Sequence, residues 1–169
     1  EGTGAFIDTE GVSLERFHQI CGSKATCDSY LQPILFYRPL SFQEQQTMIQ
    51  TAATRDEVGM IIVDTMNLFY RLHIDRDKDE TMRTFSRMVA TLLNAARKKN
   101  RYIIITEQVY TDKTGEIRPF ATRETEHLAK TIIRLEKEAI SKRRATIIRH
   151  RSEPEGKTAL FTITQTGLQ

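Results

Sequence analysis

Three short apolar runs in this chain each close on polar groups: Ala5-Phe6-Ile7-Asp8-Thr9-Glu10-Gly11, Met60-Ile61-Ile62-Val63-Asp64-Thr65, and Tyr102-Ile103-Ile104-Ile105-Thr106-Glu107-Gln108. Residues 60–63 show no period-two alternation, the pattern of a strand covered on both faces rather than one washed by solvent. Such runs, alternating with helical patterns, predict an α/β fold with a mainly parallel central sheet flanked by helices. Open sheets of that kind bind their ligands in the crevice at the carboxyl ends of the strands. The two carboxylates and the amide that end these runs therefore mark the expected site.

The intervening segments carry helix signals. Ser13 is placed to N-cap a short helix after Gly11, and residues 22–28, small and polar, read as a connection. Ile34-Leu35-Phe36-Tyr37 is a further apolar run, followed by Pro39. Ser41-Phe42-Gln43-Glu44 is a capping box that predicts a helix to about Arg55. From Asp77 onward, Met82, Phe85, Met88, Val89, Leu92, Leu93 and Ala96 recur at helical spacing, and Arg97-Lys98-Lys99 complements the negative end of that helix. The Met and Phe stripe reads as core. Thr131-Ile132-Ile133-Arg134-Leu135, Ala145-Thr146-Ile147-Ile148 and Ala159-Leu160-Phe161-Thr162-Ile163 predict antiparallel strands added to the sheet.

With 169 residues, 39% hydrophobic and 28% charged, the chain is expected to form a single domain over 1–169. Residues 1–4 give no start signal before the first buried run, so that domain is expected to be incomplete at its N-terminal side. The net charge of +3, from 25 basic and 22 acidic residues, barely argues for a polyanionic partner, so the position of the basic residues matters more than their number. Cys21 and Cys27 have neither a second pair for zinc nor a disulfide framework around them, and read as free thiols of a reducing compartment. No apolar stretch approaches the ~20 residues that span a bilayer and no signal peptide is visible, so a cytoplasmic protein without a membrane partner is expected.

Asp64, directly after a buried strand, is of the type that orients Mg²⁺ through its waters against phosphate oxygens; an ordinary loop cap is the competing reading. Glu10, two residues beyond the strand-terminal Asp8, is placed to polarise a water for attack on phosphorus, or simply to stabilise a turn. Gln108 is suited to sensing a γ-phosphate through its amide. Each signal is weak alone, and their matching places reinforce one another. Lys142-Arg143-Arg144 and Arg149-His150-Arg151 form the densest basic region. Arg149 and Arg151, two apart on an extended segment, would point to one side and grip a phosphate supplied by a neighbour, unless they only protect a sheet edge with charge. The segment 109–123 is polar, contains Gly115 and Pro119, and brings Lys113, Arg118 and Arg123 together with Tyr110 and Phe120, a composition adequate for single-stranded nucleic acid or for an ordinary exposed loop.

Taken in order, Phe6-Ile7-Asp8-Thr9-Glu10-Gly11, Ile61-Ile62-Val63-Asp64-Thr65 with Leu68-Phe69-Tyr70-Arg71, and Ile105-Thr106-Glu107-Gln108-Val109-Tyr110 closely resemble the ATPase core of the RecA/RadA recombinase family. The tail, His150-Arg151-Ser152-Glu153-Pro154-Glu155-Gly156 with Phe161-Thr162-Ile163-Thr164 and Gly167, resembles that of the archaeal paralogues of RadA. The resemblance covers essentially the whole chain and implies a RecA-like P-loop NTPase core that takes ATP and Mg²⁺. It implies that Glu10 activates the attacking water, that Asp64 is the Walker B aspartate supporting Mg²⁺ through water, and that Gln108 links the nucleotide state to the DNA-binding loop. By the same resemblance, Arg149 and Arg151 reach phosphates of an adjacent subunit in a homo-oligomer. The implied protein is a DNA repair and recombination accessory, weak in ATP hydrolysis, that binds single-stranded or branched DNA and modulates a RadA-type recombinase.

Three departures qualify what is carried over. The phosphate loop G-x-x-x-x-G-K-[ST] is not in this sequence, so the chain as written is expected to bind ATP poorly or not at all. Glu107 stands where asparagine is usual before the glutamine. Phe120-Ala121-Thr122-Arg123 stands where a Gly-Gly pair often follows proline. Two other readings remain open: a KaiC-like signalling or motor ATPase on the same fold, and a DNA- or partner-binding module with a vestigial nucleotide site.

Overall fold

The structure, a computed structural model, describes residues 2–115, 117–119 and 123–169, apart from the side chains of residues 119, 123 and 124. In chain order its elements are β1 (Thr3–Asp8), α1 (Leu14–Cys21), α2 (Lys24–Leu31), β2 (Ile34–Tyr37), α3 (Phe42–Thr54), β3 (Val58–Asp64), α4 (Leu68–His73), α5 (Lys78–Lys98) and β4 (Tyr102–Ile105). A hairpin of β5 (Val109–Thr111) and β6 (Ile117–Pro119) and the helix α6 (Arg123–Leu128) follow, then β7 (Ile132–Lys137), β8 (Lys142–Arg149), β9 (Thr158–Thr164) and β10 (Gly167–Leu168). These fall into two compact units, one of Glu1–Val12 with Tyr30–Thr125 and one of Ser13–Ser29 with Glu126–Gln169.

The first unit is built on a parallel sheet of order β2-β1-β3-β4. Ile7 lies beside both Tyr37 and Val63, and Val63 beside Ile105, so all four strands end on one edge. The chain leaves β1 toward β2 on one side and leaves β3 toward β4 on the other. The gap between the ends of β1 and β3 is thus the topological switch point, where neighbouring connections diverge and a crevice opens. Ala5, Ile7, Ile61 and Val63 are buried and alternate along β1 and β3; Phe42, Ile49 and Ala52 of α3 and Phe85, Met88 and Leu92 of α5 complete that core. Burying each large side chain of this set contributes about 1.5–3 kcal/mol. β3 lies inside the sheet as expected, but its opposite face is only half covered, at Met60, Ile62 and Asp64, so cover on both faces is complete on one of them.

The capping signals act as their chemistry predicts. Ser13 Oγ accepts from Arg16 N at 3.1 Å, Ser41 Oγ from Glu44 N at 3.2 Å, and Asp77 Oδ1 from Glu80 N at 3.0 Å. Glu44 reaches back to Leu40 N at 2.8 Å, which closes the capping box one residue earlier than the usual pattern. The far end of α3 has a less legible cap. Arg101 is buried, and its guanidinium donates to Ala52 O at 3.1 Å, to Ala53 O at 2.7 Å and to Arg55 O, carbonyls that have no partner within the helix.

In the second unit β7 to β10 form an antiparallel sheet of their own, of order β10-β9-β8-β7, rather than extra strands on the parallel one. Residues 22–28, expected as a connection, mostly belong to α2. Ser23 starts that helix, its Oγ accepting Thr26 N at 3.2 Å and its carbonyl accepting Cys27 N at 3.0 Å, a cap disguised by polar composition. Cys21 and Cys27 are free thiols; burial and the Cys21 thiol beside it push Cys27 up to about 11. Among the described residues no helix is long and apolar enough to cross a membrane.

Candidate nucleotide site

The ends of β1 and β3 are stitched together. Thr9 N donates to Asp64 O at 2.8 Å, Thr65 N to Thr9 Oγ1 at 2.8 Å, and Thr9 Oγ1 back to Thr65 O at 3.2 Å. The Asp64–Thr65 peptide is cis. Asp8, nearly buried, turns its carboxylate onto the loop that follows it, accepting Gly11 N at 2.7 Å and Val12 N at 2.8 Å, with Arg38 Nε 3.6 Å away. Gly11 has φ +95°, a conformation glycine adopts without penalty. These contacts hold Glu10 on a tight loop directly above the switch point.

Glu10 and Gln108, drawn from β1 and from the end of β4, meet there. Gln108 Nε2 donates to Glu10 Oε1, and Thr65 Oγ1 donates to the same oxygen at 3.2 Å. Among the described residues the second carboxylate oxygen, Oε2, accepts nothing. One oxygen is anchored while the other remains available to water, the arrangement a general base needs. Asp64 is half-buried, its Oδ1 accepting from Thr106 Oγ1, while its Oδ2 has no hydrogen bond among the described residues. A carboxylate steadied at one oxygen and open at the other suits Mg²⁺ held through water, which keeps most of its own hydration shell. The donor set therefore fits that ion.

Glu10, Asp64 and Gln108 thus come together as their places in the sequence predict. Thr9, Thr65 and Thr106, which close the same strands and tie them to one another, belong to the candidate site and are not singled out by sequence reasoning. The polarity of each strand terminus is the signal that could have found them. Asn67 and Arg71 also touch Gln108 and escape sequence reasoning as site residues, although Arg71 lies in the Leu68-Phe69-Tyr70-Arg71 motif.

The basic candidates are carried by other elements of the chain. Lys113 is exposed at the tip between β5 and β6, so part of the expected loop is a two-stranded ribbon. Arg118, in β6, has Nε 2.6 Å from Asp112 Oδ2, and Asp112 Oδ1 also accepts Thr114 N at 2.8 Å. Arg123 begins α6; its side chain, like the whole of residues 120–122, lies outside the described residues. Arg149 and Arg151 belong to the second unit. Arg149 ends β8 and donates to Glu126 O, whereas Arg151 sits in the bend beyond. They do not share a strand face, because His150 Nδ1 accepts Ser152 N at 3.2 Å and Glu153 N at 3.0 Å and turns the chain at once.

Comparison with known proteins gives this geometry a family. The Rad51 family model matches residues 1–169. A "DNA repair and recombination protein RadB" of Methanococcoides burtonii is 42% identical over 170 residues, covering 97% of this chain and 74% of the relative. The protein of that name from Thermoplasma acidophilum is 36% identical over 168 residues, covering 96% of this chain and 71% of its own length. The crystal structure of a RadB recombinase superposes with a TM-score of 0.80 at 29% identity, over 99% of this chain and 78% of that one. The family-model match along residues 1–169, with these relatives and a RecA-like core, places this protein in the Rad51 family.

Proposed function

We propose that this protein is a recombination and repair accessory of RadB type that acts in the cytoplasm, binds DNA and ATP, hydrolyses ATP slowly and modulates a RadA-type recombinase. The observation that carries the reading is the convergence of Glu10, Gln108 and Asp64 at one switch point, with one oxygen of each carboxylate anchored and the other open. In this reading Glu10 takes the proton from the attacking water through Oε2, and Gln108 holds the opposite oxygen still. Asp64 holds Mg²⁺ through water; the ion, when bound, neutralises charge on the phosphoryl oxygens. Arg149 and Arg151 serve a phosphate belonging to a neighbouring copy, which makes the active form a homo-oligomer.

DNA binding is assigned to the β5–β6 ribbon and the residues after it. Tyr110 is exposed and paired with Arg118 across the ribbon, with Lys113 at the tip, an aromatic face next to positive charge. Neutralising Lys113, Arg118 and Arg123 together in the full-length protein is expected to weaken binding to a single-stranded oligonucleotide. It should also flatten the plot of log affinity against log salt by about 2, at roughly 0.7 for each phosphate no longer neutralised. Fluorescence anisotropy over a salt series measures both. An unchanged slope removes this segment from the DNA site.

A further inference from the structure

Gln108 is held by backbone and side chain alike from one short element. Asn67, fully buried, donates from Nδ2 to Gln108 O at 2.9 Å and accepts Gln108 N on Oδ1 at 3.0 Å, copying with a side chain the paired hydrogen bonds of neighbouring strands. Arg71 lies one helical turn on, its own N–H donating to Asn67 O at 3.1 Å, and its Nη1 donates to Gln108 Oε1. The remaining end of the carboxamide, Nε2, is the group that reaches Glu10. Asn67 thus fixes the backbone of Gln108 and Arg71 fixes its side chain.

The chemistry of the two ends leaves a single orientation. A primary amide is nearly symmetric in shape and reads either way round, but a guanidinium only donates and a carboxylate only accepts. Between Arg71 and Glu10 the carbonyl must face the arginine and the amino group the glutamate. Without the arginine the side chain is tethered at one end only. It then regains rotamer freedom, and Glu10 Oε1 keeps Thr65 as its one steady donor, too little to fix the carboxylate plane.

We propose that Arg71 is a positioning residue for hydrolysis, acting through Gln108 to set the plane of the Glu10 carboxylate, with Asn67 as the backbone anchor of the same clamp. The assignment rests on the reading of Glu10 as general base. Arg71 is exposed, so its replacement spares the core. In the full-length protein, Arg71→Met is expected to lower kcat about 10-fold with KM for ATP changed less than about 2-fold, the signature of lost orientation rather than lost binding. Arg71→Lys, which keeps a cationic donor, should recover part of the loss. In a double-mutant cycle, Arg71→Met should add nothing to the loss of turnover in Gln108→Met, because the effect assigned to the arginine runs through that amide.

A second readout needs no nucleotide. The side-chain ¹⁵N amide signal of Gln108, identified by its disappearance in Gln108→Met, should be shifted and narrowed toward an unconstrained glutamine in Arg71→Met. Wild-type turnover in Arg71→Met, additive losses in the cycle, or an identical Gln108 amide signal in both proteins overturns the assignment. Undiminished turnover in Glu10→Gln would overturn the hydrolysis reading instead, with the amide signal still testing the clamp.

Discussion

Glu10→Gln in the full-length protein is expected to lower ATP turnover by about 100-fold or more while nucleotide affinity stays within about 2-fold. The substitution is nearly isosteric and separates the roles proposed for the two oxygens. A glutamine carbonyl in place of Oε1 still accepts from Gln108 and Thr65, so the loop keeps its place. An amide nitrogen in place of Oε2 cannot take a proton from water. Steady-state hydrolysis, measured beside equilibrium binding of a fluorescent nucleotide, resolves the two effects. Equal turnover by both proteins would remove Glu10 from the chemistry and leave it as the turn-stabilising acid that its sequence context also allows.

The largest effect on stability is expected at Arg101. Arg101→Met retains an apolar stem of similar reach but strips the guanidinium from Ala52 O, Ala53 O and Arg55 O at the end of α3. A hydrogen bond from a charged donor contributes about 1.5–3 kcal/mol, and the three share one group and one site, so their losses do not add in full. A loss of about 3 kcal/mol follows, seen as a lower urea midpoint at unchanged slope or a Tm lower by about 10 °C. Arg97→Met, on the exposed last turn of α5, is the control and should change stability by less than about 0.5 kcal/mol. A shift no larger than the control's for Arg101 would mean that water satisfies those carbonyls equally well.

How much of the fold and of the site is legible in the sequence depends on whether a residue's signal is local. The caps at Ser13 and Ser41 and the stripe on α5 are local patterns, and the structure repeats them. The strand-end placement of Glu10, Asp64 and Gln108 is legible because a parallel sheet brings all its carboxyl ends to one edge whatever the connections do. Arg101 is not legible. A lone arginine after a helix reads as solvated charge, and only the packing of α3 beside the start of β4 turns it into a cap. Asn67 and Arg71 are hidden in the same way, since the residue they hold lies about 40 positions away. The spacing of Arg149 and Arg151 misleads about their orientation alone, because period two implies a common face only while the strand continues, and His150 ends it.

The most direct test of the nucleotide site is an amide NMR titration of the full-length protein with Mg²⁺ and a non-hydrolysable ATP analogue. The account predicts the largest shifts at residues 9–11, 64–65 and 106–108, with smaller ones along α4. Shifts concentrated away from these strand ends, with Glu10 and Gln108 unmoved, would contradict it.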